Sequence, residues 1–569
     1  MLPTVRAHSA RFLKTLFRQE PRQVHGLAIV GVLAVAWALM SLGTRPFNIF
    51  DTEWLSGDLG QVYLAWCKHM RDPDAWGLTS TIASDPIPLN FALFDPMPIL
   101  MVPAKLVAWI FPAGTQYFGF YFLLCLFLQG VFGYFATSEV LELHKEPEID
   151  RRWGPLLLQL SGAVLCMTMP ITLNRLSGHT ALSSQWLLIM SIWVALRTRD
   201  SGLRAWLIGN CAMLFLATGF NPYLAVMVGI SLSGMAFVQT RLSNLQGQIV
   251  KVAALAATGL AGLWFFGFTS GAGVSEGGYG DFSMNMLGPI DSNGFATLFP
   301  LDIVDATTGQ TFEGFNYLGL GVLVLILAMA ALLYRTRIDS RLPIVAALLI
   351  GCVAYILALS TTITFSGVTF VAPAPEFAEN IMRRFRGSGR FFWIGAFWLT
   401  IISLAVVARR FPGRLGVTLV VLMTFVQWID VAGISLKTNH AIASLQRMHY
   451  TLPAEATAGR NVTTVKVFPP WQCDPFHTPG GVRNYEIFGF LTLDRGWTTN
   501  SFYAARTPAN QRAYHCDYAA RLSEMDPTAI YFLSNAIHDQ FSAEIGSRLI
   551  CKADPEIAET QLCWPAASD

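Results

Sequence analysis

Charge is what this chain has least of. Only 13% of its 569 residues are Asp, Glu, Lys or Arg, against about 25% in an ordinary soluble domain. With 53% hydrophobic residues and a positive mean hydropathy, a purely water-soluble domain is excluded and a polytopic membrane protein fits. Basic residues are missing altogether from 252–334, although that stretch carries Glu276, Asp281, Asp291, Asp302, Asp305 and Glu313. No small-residue cleavage site follows the first apolar run, which ends at Thr44-Arg-Pro, so an anchoring helix is expected rather than a removed signal peptide. Internal repeats and low-complexity tracts are absent. The net charge of +2 says little about partners, and no nucleic-acid partner is expected.

What is present is a series of apolar segments. They fall near 26–43, 116–138, 154–172, 181–196, 204–219, 222–239, 252–268, 316–334, 343–360, 391–408 and 414–434. About eleven transmembrane helices are expected, at roughly 17–25 residues each, with a few extending into their flanks. The stretch 96–113 is apolar but broken by Pro96, Pro98, Pro103 and Pro112, which predicts a re-entrant or interfacial piece. With the N-terminus in the cytoplasm, every cytoplasmic connection is basic: Lys145, Arg151 and Arg152; Arg197, Arg199 and Arg204; Arg241 and Lys251; Arg335, Arg337 and Arg341; Arg409, Arg410 and Arg414. An odd number of crossings then leaves the chain after residue 435 outside. Three regions follow: a basic cytoplasmic N-terminus (1–25), a membrane domain (26–435) with outside loops at 44–115, 269–315 and 361–390, and an outside C-terminal domain (436–569).

Five of the nine cysteines lie in the membrane part. The other four, Cys473, Cys516, Cys551 and Cys563, all lie in the tail, an even set that predicts two disulfides in an oxidising compartment. Local pairing, Cys473 with Cys516 and Cys551 with Cys563, is the expectation among three connectivities. Zinc is the competing reading, but the cysteines are too dispersed for metal-ligand spacing. The tail is more polar than the rest, with strands expected at Thr463–Phe468 and Ala529–Leu533 and a helix around Pro508–Met525. It predicts a small α+β domain on a mostly α-helical membrane bundle.

Candidate chemistry gathers in outside-facing patches. The first runs Asp51-Thr-Glu53-Trp-Leu-Ser-Gly-Asp58, followed by Val62, Tyr63, Trp66 and Met70 set against Gln61, Lys68 and His69. That spacing suits an amphipathic helix at an interface, and acids beside it suit a general base; a solvated acidic loop is the other reading. The second is Asn90-Phe-Ala-Leu-Phe-Asp95-Pro-Met-Pro, where Asp95 would bind a hydroxyl or cap a re-entrant helix. The third is Arg175-Leu-Ser-Gly-His179, facing a cavity or forming a turn from which Arg175 snorkels. The fourth is Arg383-Arg384-Phe-Arg386-Gly-Ser-Gly-Arg390. Arginines on an outside face defy the charge bias elsewhere, and guanidinium forks bind phosphate or lipid headgroups. The loop 269–315, rich in glycine at Gly271, Gly273, Gly277, Gly278 and Gly280 and carrying Asn285 and Glu313, suits a mobile cover.

Asp58, just after the first apolar segment, with Gln61, Tyr63, Ala65 and Met70 on the following helix, resembles the GT-C superfamily of integral membrane glycosyltransferases. Leu59 stands where those families carry a second acid. The chain also resembles a family of bacterial multipass proteins whose shared domain has no assigned function. That likeness runs through Gly57-Asp58 to Trp66, Phe94-Asp95-Pro-Met-Pro, Gly178-His179, Ser283-Met-Asn285-Met-Leu, Glu313-Gly-Phe-Asn-Tyr-Leu-Gly-Leu-Gly and Ser388-Gly-Arg390-Phe-Phe-Trp. The GT-C resemblance implies an inverting transferase that moves a sugar from a polyprenyl-phosphate donor to an envelope glycan, lipid or protein. It implies an inner-membrane location with a periplasmic C-terminal domain. Asp58 would be the base. Arg390 with Arg386 or Arg384 would hold the leaving phosphate. Asp51, Glu53, Gln61, Asp95, Arg175, His179, Asn285 and Glu313 would contact donor or acceptor. A divalent cation, Mg or Mn, is compatible but not required where arginines neutralise phosphate. A transporter or flippase of a lipid-linked glycan is the rival, and would require ionisable groups at bilayer depth. An envelope scaffold is the third reading.

Overall fold

The computed structural model describes residues 21–73, 78–82, 84–95, 97–110, 112, 114–142, 153–239, 245–271, 279–335, 341–411 and 414–566. The basic stretch 1–20, the predicted basic connections at Lys145, Arg151, Arg152, Arg241 and Arg337, and Gly273, Gly277 and Gly278 lie outside the described residues.

The apolar runs fold as helices. In chain order these are α1 (Pro21–Leu42), α2 (Asp58–Arg71), α3 (Pro98–Leu106), α4 (Phe118–Val140), α5 (Gly154–Met167), α6 (Trp186–Arg197), α7 (Leu203–Thr218), α8 (Pro222–Gln239), α9 (Leu245–Phe265), α10 (Leu320–Arg335) and α11 (Arg341–Leu359). Pro98 and Pro222 open their helices, where a missing N–H costs nothing. A hairpin of β1 (Thr362–Phe365) and β2 (Val368–Val371) follows. Then come α12 (Glu376–Met382), α13 (Phe392–Arg410) and α14 (Arg414–Ser444).

Seven helical segments among the described residues are long and apolar enough to cross a bilayer: Gln23–Leu42, Phe118–Val140, Pro222–Gln239, Leu245–Phe265, Leu342–Leu359, Ser388–Arg410 and Arg414–Ser444. The other four of the eleven expected segments are shorter apolar helices, Gly154–Met167, Ala181–Arg197, Leu203–Thr218 and Leu320–Tyr334, so length and composition support seven crossings. At ~1.5 Å per residue the shortest reaches only about 21 Å, less than a hydrocarbon core of ~30 Å. A cause is visible at α5, where Pro170 forces Met169 out of the helical region (ψ 122°) and ends the run. The predicted segment ending at 434 instead continues as helix to Ser444. Around the predicted re-entrant piece, α3 and the turn after it expose Leu106, Trp109 and Ile110.

α13 is the axis of the bundle. Phe392 to Ala408 are buried almost without exception, so this segment is covered by protein rather than lipid. One continuous apolar core links α1, α2, α4 and the later helices, and it takes in Phe490 and Leu493 of a C-terminal helix, α15 (Asn484–Arg495). The C-terminal region carries a five-stranded sheet in the order β4-β3-β5-β7-β6, from β3 (Thr464–Phe468), β4 (Thr498–Thr499), β5 (Ala529–Ser534), β6 (Leu549–Ala553) and β7 (Thr560–Pro565). β3 pairs in parallel with β4 and β5, and β7 pairs antiparallel with β5 and β6. The helix expected around Pro508–Met525 is two short ones, Ala509–His515 and Tyr518–Ser523. The break falls at Cys516, bonded to Cys473, and at Asp517, whose side chain caps the second helix. Cys551 is bonded to Cys563.

α2 is not the interfacial helix its spacing predicts. Gln61, Lys68 and His69, the intended solvent face, are all buried. Each is covered by a different segment: Lys68 Nζ donates to Thr492 Oγ1 of α15 at 3.4 Å, Gln61 Nε2 donates to the Tyr503 carbonyl, and the His69 ring meets Phe91 at 5.6 Å between centroids. Burial pulls the His69 imidazole down to about 4, helped by Lys105, so it stays neutral.

A candidate active site between the bundle and the C-terminal domain

Gly57 precedes α2 with φ +62°, a conformation that costs glycine nothing. Asp58 then occupies the first turn, where the helix dipole favours an acid. This turn points Asp58 and Gln61 into a cavity of about 150 Å³. Asp95 enters from a neighbouring turn in a left-handed conformation (φ 59°) that Asp tolerates better than most residues. His179 comes from the loop before α6, and Asn221 and Tyr223 from the start of α8. Arg383, Arg384, Arg386 and Arg390 come from the segment joining α12 to α13. Tyr503, Ala505 and Arg506 come from the C-terminal region.

The charges form two layers. In the deeper one, Glu313 is the hub. Its Oε2 accepts from Arg175 Nη1 at 3.0 Å and from Arg390 Nε at 2.8 Å and Nη2 at 2.7 Å, and His179 Nε2 lies 2.7 Å from Oε1. Burial alone would disfavour the carboxylate, but Arg175, Arg390 and His179 outweigh it and hold Glu313 well below the usual carboxylate range. Arg175 has no exposed side-chain surface, which rules out a snorkelling turn. It also stacks on Phe312 and Trp393 at 4.9 and 5.4 Å.

The upper layer is open. The Asp58 side chain keeps 33% of its exposure, and its Oδ2 lies 3.6 Å from His179 Nε2. Asp95 Oδ2 lies 4.0 Å from His179 Nδ1, and Asp95 Oδ1 accepts from Asn221 Nδ2 at 2.8 Å. Burial pushes the Asp95 carboxyl up to about 6; His179 and Arg390 pull against this and Asp58 adds to it. Asp95 does not cap α3, whose N-cap position is Met97. His179 thus stands among three carboxylates and bridges the open layer and the buried one.

The C-terminal region builds one wall. Gln61 Nε2 donates to the Tyr503 carbonyl at 2.7 Å, Ala505 N donates to the Leu93 carbonyl at 2.6 Å, and the Arg506 guanidinium donates to the Arg384 carbonyl. Glu486 of α15, fully buried, accepts from Gly57 N at 3.1 Å and from Arg483, and so holds the turn that presents Asp58. Burial raises the phenols of Tyr485 and Tyr503, and the neighbouring Asp58 raises both further.

Of the sequence-predicted residues, Asp58, Gln61, Asp95, His179, Arg384, Arg386 and Arg390 line the cavity, and Arg175 and Glu313 buttress it. Three lie elsewhere. Asp51 pairs with Arg45 at 3.0 Å and accepts from Glu53 N. Glu53 pairs with His449 at 2.5 Å. Asn285 is buried and bonds both backbone groups of Ser366, anchoring the β1–β2 hairpin. Arg390 is also not a free phosphate fork, since two of its nitrogens are on Glu313.

The sequence reading missed Asn221, Tyr223, Tyr503, Arg506 and Glu486. Asn221 was legible: Asn before Pro marks a helix start, and its Oδ1 accepts from Tyr223 N at 2.8 Å while its amide fixes Asp95. The other four carry no local signal. Among the described residues no group of three His, Cys, Asp or Glu side chains could hold a metal ion.

Comparison with protein families gives two matches. A domain of unknown function, DUF6311, matches residues 31–432, and the DUF6311 C-terminal domain matches residues 455–553. No curated protein matches the chain.

Proposed function

The chain belongs to the DUF6311 family, and we propose that it is a GT-C-type membrane glycosyltransferase using a polyprenyl-phosphate sugar. In this reading the four shorter apolar helices complete eleven crossings of the inner membrane, and the site lies on the periplasmic side. The acceptor is an envelope glycan, lipid or protein. The observation that carries the reading is one cavity lined by a part-exposed carboxylate, Asp58, together with Arg384 and Arg386.

The acceptor hydroxyl loses its proton to Asp58 as its oxygen attacks the anomeric carbon. The bond from that carbon to the phosphate oxygen breaks with inversion, and the polyprenyl phosphate leaves with the electron pair. Arg384 and Arg386 neutralise the departing phosphate. Arg390, tied to Glu313, contributes field rather than a direct fork. Asp95 and Gln61 orient hydroxyls. The C-terminal wall closes the acceptor side.

The test is sugar transfer by full-length protein in proteoliposomes, from a panel of polyprenyl-phosphate sugars, with and without EDTA. Asp58→Asn keeps size and hydrogen bonding and lowers the rate by ~10²–10⁴-fold. Near wild-type turnover by that variant would overturn the assignment of the base.

A further inference from the structure

We propose that the β1–β2 hairpin and α12 are seated in the membrane leaflet on the side of the C-terminal domain, with phospholipid covering their apolar side chains. The hairpin should hide one face, because side chains alternate along a strand. Instead all four residues of β2 are exposed. Val368 (55%) and Phe370 (57%) project from one face of it beside their β1 neighbour Phe365 (48%), opposite the face that carries buried Thr364. On α12, Phe377 (72%) and Ile381 (58%) share a face four residues apart. Bare apolar side chains gathered within one short stretch, 365–381, mark a membrane or protein contact.

Three observations favour lipid. First, the patch continues a surface already suited to lipid: α11, a helix of spanning length, exposes Leu348, Val353 and Ile356, and β1 begins three residues after it ends. Second, residues 360–375 contain no charged side chain; the first charges after them are Glu376 and Glu379 on α12, the latter paired with Arg383 at 2.7 Å, and the basic cluster Arg383, Arg384 and Arg386, suited to anionic headgroups, ends the segment. Third, the hairpin is held firmly from its protein side. Asn285 bonds both backbone groups of Ser366, Met286 N donates to the Thr364 carbonyl, and Gln310 donates to Thr364 Oγ1 at 2.5 Å. The bare side chains are therefore displayed by design of the fold, not by fraying. If the transferase reading holds, on which this consequence alone rests, the seat sets the arginine-lined wall of the cavity beside the lipid phase. A long-chain phospholipid-like donor would then reach that wall sideways from the bilayer.

The experiment uses full-length protein in phosphatidylethanolamine–phosphatidylglycerol nanodiscs, with Cys211→Ala and Cys352→Ala removing the accessible free thiols. Nitroxide labels are placed by Phe370→Cys and Phe377→Cys, with Leu348→Cys and Ser542→Cys as membrane and aqueous references. Oxygen-dominated relaxation at 370 and 377, as at 348, is the expected result. Relaxation dominated by a water-soluble nickel complex at both, as at 542, would overturn the proposal. So would loss of both collision effects, which would mean that protein covers the patch. In a second arm, Phe370→Asp with Phe377→Asp is expected to raise KM several-fold for a long-chain donor and leave a short-chain, water-soluble donor unchanged. Equal effects on both donors would refute the sideways route. A chain that turns over no donor would refute the transferase reading, and the label depths would still decide the seat.

Discussion

Glu313→Gln is the sharpest perturbation the site offers. The wild-type carboxylate takes Arg175 at 3.0 Å, Arg390 at 2.8 and 2.7 Å and His179 at 2.7 Å, in a setting where the Arg175 side chain has no exposure and that of Arg390 only 11%. Gln keeps the shape and one oxygen acceptor but removes the charge. Two buried guanidinium groups then lose their counter-ion, a change that costs about 3–5 kcal/mol when one partner of a buried pair is deleted. The retained oxygen argues for the lower end. About 3 kcal/mol corresponds to a fall in Tm on the order of 5 °C, taking the smaller shift per kcal/mol that larger proteins show. Intrinsic-fluorescence melting of the full chain in detergent or nanodiscs measures it. Glu379→Gln is the control, since Arg383, its partner, is 55% exposed and such pairs contribute about 0–1 kcal/mol. The pH dependence adds a sign. Glu313 has a depressed folded pKa, so its contribution is present above the ordinary carboxylate range and is lost as pH falls through the depressed value. The gap between wild type and variant should stay open from pH 5 to 8 (about the neutral range of maximal stability) and narrow only in strong acid. A Tm within 1 °C of wild type (roughly a fifth of the expected shift) would mean that Glu313 is not the counter-ion of the two arginines.

Asp95 has a raised folded pKa of about 6, so the folded chain binds more protons than the unfolded one between the ordinary carboxylate value and that point. Stability from this group therefore falls as pH rises through that window. Transfer activity should show an inflection near 6 that Asp95→Asn removes; an unchanged profile would exclude Asp95 from the titration. Glu486→Gln should lower the transfer rate with little change in donor KM, by ~10²-fold if the Asp58 turn shifts by about 1 Å. An equal loss in donor binding would show a structural role only. Cys516→Ser opens a 43-residue loop, worth about 4 kcal/mol in the chain-entropy account. The C-terminal region should then melt before the bundle, and peptide mapping under alkylation should find all four tail cysteines bonded in wild type. Unchanged melting, or four free thiols, would refute the pairing.

The sequence by itself determined where the apolar helices of the bundle lie, because hydrophobic runs and proline stops act locally. It also determined which side chains are chemically unusual: a charge that survives in a chain so poor in charge tends to have a partner. Asp58, Asp95, Arg175, His179, Glu313 and Arg390 were all legible in that way, and so was the even set of cysteines in the tail. Only the tertiary structure decided who partners whom. Glu313 lies 138 residues from Arg175 and 77 from Arg390, and no local pattern carries that pairing. Asp51 and Glu53 look like Asp58 in sequence, yet Arg45 and His449 take them out of the site. The same applies to α2. Its spacing describes a half-buried helix, but α15 arrives from more than 400 residues away to cover Lys68. Periodicity reports how many faces a helix can bury. What buries the remaining face, and so where the cavity acquires its last wall, is set by contacts between segments far apart in the chain.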